Sequence, residues 1–163
     1  MSAIYGRHAL LALACAVSSP ADAQLLNRKD LSYAVAKTIA EASVESCQSH
    51  GYKVSAVVVN RAGETIIALR DDDSGRHTLE NARRKAYTAM TFRQPTTAYA
   101  KKFAANDPTV LQQVTLPNII AIGGGLPIKV GEDVIGGAGV SRSPGVDGGC
   151  VQAGLDKVAD QLK

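Results

Sequence analysis

A lysine on the apolar side of a helix is the first feature of this chain that invites chemistry. In the stretch His77-Thr78-Leu79-Glu80-Asn81-Ala82-Arg83-Arg84-Lys85-Ala86-Tyr87-Thr88-Ala89, residues Leu79, Ala82, Ala86 and Ala89, then Arg93, recur at the spacing of a core-facing helical stripe. Lys85 borders or enters that stripe, where an ammonium either snorkels to water or meets something anionic. His77 stands just ahead of the helix, and its imidazole nitrogen can accept a hydrogen bond or ligate a metal. One reading of this trio is a site for a small organic acid. Lys85 and Arg84 would hold the carboxylate against the backbone of Gly123, Gly124 and Gly125, with His77 as acid or base.

Other residues offer chemistry more ambiguously. A phosphate cradle needs a helix N-terminus after its glycines, whereas Leu126-Pro127-Ile128 after Gly125 starts a strand. The triple glycine therefore reads as a strand-connecting turn whose backbone a ligand could still approach. Gly136, Gly137 and Gly139 inside a strand mean that a helix or a ligand packs closely there. Thr96, Tyr99 and Phe103 fall on one face of a short helix, a hydroxyl and two rings in line, which suits a flat apolar ligand or the core. His50 beside Gly51 reads as a surface residue. No Ser-His-Asp arrangement, paired carboxylate or His-x-x-x-His pair stands out, so a complete catalytic apparatus is not visible.

The elements that must position these residues follow from periodicity and punctuation. Asn27-Arg28-Lys29-Asp30 resembles an N-cap box, opening a helix that carries Leu31, Val35, Ile39 and Ala42 and stops at Gly51. Residues 53–60 form a valine strand covered on both faces, turned by Asn60-Arg61-Ala62-Gly63 into a partner strand over 65–70. A polar loop, Asp71-Asp72-Asp73-Ser74-Gly75, leads to the Lys85 helix, which Pro95 ends. Residues 96–105 form a second helix, and 107–118 are irregular, with Pro108 and Pro117 as punctuation. Three short strands are expected at 119–122, 128–130 and 134–141, and a final helix near Asp147 carries Val151, Leu155, Val158 and Leu162. Helix, two strands, two helices, three strands and helix make an α+β domain with an antiparallel sheet.

The N-terminus speaks to compartment. Arg7 and His8 precede a short apolar run, and Ala21-Asp22-Ala23 is a small-x-small cleavage site, so residues 1–23 read as a secretory signal peptide. A competing reading makes Cys15 a lipid-modified residue, although Ala12-Leu13-Ala14 is a poor lipobox. Processing leaves residues 24–163, about 140 residues, as one domain in the periplasm or secreted. The apolar run is too short to span a bilayer. A net charge of +3 mixed over both signs, with few aromatic residues, argues against nucleic acid as a partner. Two cysteines remain, Cys47 near the end of the first helix and Cys150 at the start of the last. In an exported chain they allow one disulfide, the alternative being a redox or metal pair.

The stretch Ala82-Arg83-Arg84-Lys85-Ala86-Tyr87-Thr88-Ala89, with Pro95-Thr96, Gly123-Gly124-Gly125-Leu126-Pro127 and Gly139-Val140-Ser141, resembles the GlcG/HbpS haem-binding family, itself similar to the C-terminal domain of PduO-type proteins. The valine strand and its glycine turn over 54–63, and Ala153-Gly154, extend the likeness over residues 31–162. The resemblance implies a profilin- or PAS-like five-stranded antiparallel sheet flanked by helices and a homo-oligomer. It also implies non-covalent haem binding, with sensing, storage or degradation as roles. No Cys-x-x-Cys-His occurs, so haem attachment would not be of the c type. Carried over by position, His77 is the axial candidate and Thr96 its competitor. Tyr99 and Phe103 would line the macrocycle, Arg84 or Lys85 would pair with propionates, and Cys47 and Cys150 match a disulfide of the exported subgroup. Arg142-Ser143-Pro144-Gly145-Val146-Asp147-Gly148-Gly149 departs from the more acidic family lead into the last helix.

Overall fold

A computed structural model of the chain describes residues 25–163. The signal peptide expected at 1–23 lies outside the described residues. Helices α1 (Tyr33–Ser49), α2 (Thr78–Phe92), α3 (Thr96–Ala104), α4 (Pro108–Gln113) and α5 (Asp147–Asp156) accompany strands β1 (Ser55–Asn60), β2 (Thr65–Arg70), β3 (Gly125–Val130) and β4 (Asp133–Ser141). The sheet is antiparallel throughout, in the order β2-β1-β4-β3. α1 and α5 lie side by side on one face of it, and α2 lies across β4 and β1 on the other.

Valine on both faces of β1 has the expected consequence. Ala56 and Val58 join the core under α1 and α5, while Val57 and Val59 pack on Ala82 and Ala86 of α2. Ala82, Ala86 and Ala89 are fully buried, so the small-residue stripe does bring the α2 backbone down onto the sheet. The fit is completed from below. A Cβ at Gly137 would run into the Ala86 carbonyl, and one at Gly139 into the Ala82 carbonyl. Gly137→Ala or Gly139→Ala should therefore destabilise the fold by at least the ~1–3 kcal/mol typical of overpacking, read as a lower urea midpoint at unchanged m-value.

The expected five-stranded sheet is corrected to four strands, because residues 119–122 are coil. Ile119 and Ile120 are buried, as an apolar run demands, but the Ile120 N–H donates to Thr88 Oγ1 of α2 (3.0 Å) rather than to a ladder. Sheet pairing starts only at Gly125, opposite Gly139. Two helix starts also differ. Ser32, not Asn27, caps α1 by accepting from the Val35 N–H, and Asp107 with Pro108 opens the unanticipated α4 by accepting from the Thr109 and Val110 N–H groups. Arg93 stands at the left-handed C-cap of α2 (φ 55°) and leaves the stripe. The disulfide expected between Cys47 and Cys150 is formed, joining α1 to α5 (Cα–Cα 5.5 Å).

Candidate functional site

Lys85 meets its anion inside the chain. Its ammonium donates to Asp147 Oδ2 at 2.7 Å and to the Val140 carbonyl at 2.9 Å, and the residue is 2% exposed. Asp147, itself buried, spends its other oxygen on Ser143, accepting from the Ser143 N–H (2.7 Å) and the Ser143 hydroxyl (2.6 Å). Both charges thus have a partner and further hydrogen bonds, the condition under which a buried ion pair persists. Charge-assisted bonds of this kind fix geometry, and here they fix the start of α5 against the middle of α2.

Above this pair opens a cleft of about 480 Å³. The first turn of α2 supplies His77 and Asn81, the glycine coil supplies Ile122, Gly123 and Gly124, and the end of β4 with its following segment supplies Ser141, Arg142, Pro144, Gly145 and Gly148. Thr97 of α3 closes one side. The glycines are needed for contact. Gly124, at φ +114°, lies on Asp147 where a Cβ would collide with the aspartate Cβ, and a Cβ at Gly123 would come within 3.0 Å of Thr97 Oγ1. Arg142 is held at φ 103°, a costly conformation for a non-glycine residue, with its guanidinium donating to the Asp73 carbonyl.

His77 is placed by its neighbour. Thr78 is buried at the start of α2, its hydroxyl 2.8 Å from Ser55 Oγ and 3.0 Å from Ser74 Oγ, and it donates to the Gly75 carbonyl (2.6 Å). That cluster pins the helix start to β1 and leaves His77 exposed at the mouth of the cleft. Its imidazole makes no hydrogen bond among the described residues.

Of the residues singled out from the sequence, His77, Lys85, Gly123 and Gly124 come together at this cleft. The others lie elsewhere. Arg84 turns to the Ile119 carbonyl, and its buried Nε has no partner among the described residues. Thr96 is fully buried and accepts from the Gly125 N–H (2.8 Å). A Cβ at Gly125 would strike the Lys85 carbonyl, so that residue serves packing. Tyr99 stacks on Phe92 at 4.8 Å and donates to Gln113 Oε1 (3.2 Å), and burial pushes its phenol above the ordinary range. Phe103, in the last turn of α3, is 39% exposed. On the outer surface of α2, Arg83 grips Glu80 through two bonds (2.8 and 2.7 Å), and this hydrogen bonding holds the Glu80 carboxyl below its usual value.

Asp147, Ser143, Thr97 and Asn81 were not singled out as site residues from the sequence. A signal for Asp147 exists nonetheless. A lysine on a core-facing stripe that does not snorkel needs an anion, and Asp147 lies one helical turn before Cys150, which is buried in the disulfide.

Comparison with known proteins gives this site a context. Residues 31–156 match the family model of HbpS-like haem degrading proteins. Protein GlcG of Escherichia coli strain K12 is 32% identical over 111 residues, covering 68% of this chain and 81% of that protein. The crystal structure of HbpS superposes with a TM-score of 0.78 at 31% identity, over 86% of this chain and 99% of the other. The fold alone is shared with a crystal structure of a PduOC–haem complex (TM-score 0.68, 24% identity, 77% of this chain and 93% of the other).

Proposed function

Because the chain belongs to the HbpS-like family, we propose that it binds haem non-covalently in the cleft between the start of α2 and residues 141–148, with His77 as the axial ligand. The observation that carries this reading is His77 itself, exposed at the cleft mouth with its imidazole unengaged among the described residues. Bound haem would supply an iron whose equatorial positions the macrocycle already fills, so one or two protein donors complete it. The donor set fits that demand. Among the described residues no group of three or more His, Cys, Asp or Glu side chains could hold a bare ion, whereas a single well-placed histidine suffices for haem.

The chain's other residues have consistent roles. Ile122 and Pro144 present apolar surface to a flat ring, and the Gly123–Gly124 backbone allows close approach. Arg142, exposed on the rim, is the cation available to a propionate, because Lys85 is already neutralised by Asp147. The same neutralisation weighs against the small-acid reading, in which a carboxylate would compete with Asp147 for Lys85 while Arg84 points to Ile119. Haem handling by an exported domain of residues 24–163, working as a homo-oligomer, completes the proposal. Its size is read by light scattering after size exclusion.

Titration of the purified protein with haemin, followed in the Soret band, tests the reading. Saturable one-to-one binding is expected, weakened by about tenfold or more in His77→Ala, the scale on which even supporting residues of a metal site act. Thr96→Ala, the competing ligand, is expected to lower stability and leave the Soret position unchanged. No Soret shift with stoichiometric haemin would end the proposal.

A further inference from the structure

The cleft and the disulfide are linked through Ser143 and Asp147. Ser143 Oγ lies 3.1 Å from Cys47 Sγ and 2.6 Å from Asp147 Oδ1, and Asp147 holds Lys85 at the cleft floor. Ser143 is fully buried. Residues 144–148 form the rim of the cleft, and they are strung between Ser143 at one end and Cys150 at the other. The turn is closed by the Val146 and Asp147 N–H groups, both donating to the Ser143 carbonyl (2.8 and 2.9 Å). α5 itself opens on Gly148-Gly149, poor helix formers for which a Cβ would meet only open space. The disulfide and the Ser143–Asp147–Lys85 chain thus hold the two ends of this rim, with Val146 packed on the core between them.

We infer that Ser143 is a positioning residue through which the Cys47–Cys150 disulfide sets the closure of the cleft. The oxidised bridge clamps the rim and favours a bound ligand, and reduction releases it. In the reduction, one thiolate of an external dithiol attacks a sulfur of the bridge and its second thiol resolves the mixed disulfide. The S–S bond of Cys47–Cys150 breaks, two electrons and two protons pass to its sulfurs, and the dithiol leaves as a disulfide. Cys47 and Cys150 are at most 1% exposed, so the dithiol reaches them only when the rim lifts. Linkage then requires the converse: a ligand seated in the cleft must protect the bridge from reduction.

This inference rests on the haem reading for its ligand but not for its mechanics, and the test separates the two. Hydrogen exchange is measured on the ligand-free protein, oxidised and dithiothreitol-reduced. Loss of amide protection at residues 143–150 larger than the uniform loss in β1 and β4, which follows from the lower global stability, is the expected result. Unchanged protection at 143–150, or a loss there no larger than the loss in β1 and β4, would overturn the inference whatever the ligand is. Gallium protoporphyrin, which thiols do not reduce, then serves as the probe of the cleft. Its affinity is expected to fall by about tenfold on reduction, within the usual range for coupled sites. Ser143→Ala, which keeps the bridge and the N–H bond to Asp147 but removes the hydroxyl that touches both Cys47 Sγ and Asp147, should shrink that difference to about threefold or less. An equal oxidised-to-reduced ratio in Ser143→Ala and the parent would overturn the role of Ser143. If no porphyrin binds in either state, the haem reading fails and the exchange experiment still decides the inference.

Discussion

Asp147→Asn should lower the free energy of unfolding by about 3–5 kcal/mol, the cost of leaving one charge of a buried pair without its partner. The amide keeps an acceptor for the Ser143 N–H and hydroxyl, so the loss isolates the Lys85 charge. Deprived of the carboxylate, that ammonium has only the Val140 carbonyl at 2.9 Å and almost no access to water. Domains of this size have about 5–15 kcal/mol in total, so the variant should be visibly marginal in urea or heat. Adding Lys85→Met removes the stranded charge while filling the space of its stem, and most of the loss should return. Recovery in the double variant distinguishes an ion-pair effect from simple damage to the start of α5. A loss below about 1 kcal/mol in Asp147→Asn, the size of a surface pair, would mean that the pair is solvated.

Replacing both Cys47 and Cys150 by alanine should cost about 4–5 kcal/mol in the chain-entropy model. The bridge spans a sequence separation of 103 residues, and so restricts most of the unfolded chain. The folded side of the comparison changes little, because both positions are buried among Ala36, Ile39, Ala40 and Val151, where alanine leaves only a small cavity. Denaturant unfolding of the alanine pair against the oxidised parent measures the cost. The parent under reducing conditions should fall to a similar value. The effect is expected to reach the cleft as well, since the loss of Cys47 Sγ removes a neighbour of Ser143.

Much of the architecture was legible because its signals are local. Valine on both faces of residues 53–60 can only be a strand covered twice, and β1 is central in the sheet. Ala82, Ala86 and Ala89 announced a close-packed helix, and of the two readings open for Gly137 and Gly139, a helix or a ligand, the helix is what packs there. Cys47 and Cys150 at helix ends allowed a bridge or a redox or metal pair, and the bridge is what formed. The failures are equally physical. Ile119-Ile120-Ala121-Ile122 has strand composition, yet its Ile120 N–H is claimed by Thr88 Oγ1 of α2 and the segment joins neither edge strand, β2 or β3. Composition cannot see that competition. Asp107-Pro108 carried a helix-start signature that was obscured by the lack of apolar periodicity over so short a helix. At the site, sequence located the lysine but not its partner, because residues 62 positions apart are joined only by the folded chain.

The lysine that first drew notice is thus the floor of the cleft, not its hand. Its charge is consumed in holding α5 against α2, and the residue proposed to meet a ligand is His77 at the rim. A crystal structure of the protein grown with haemin tests that assignment most directly. The account predicts the macrocycle seated between the first turn of α2 and residues 141–148, the iron bonded to a ring nitrogen of His77, and the Lys85–Asp147 pair intact beneath it. Haem found at another surface, or ligated in this cleft by any residue other than His77, would contradict it.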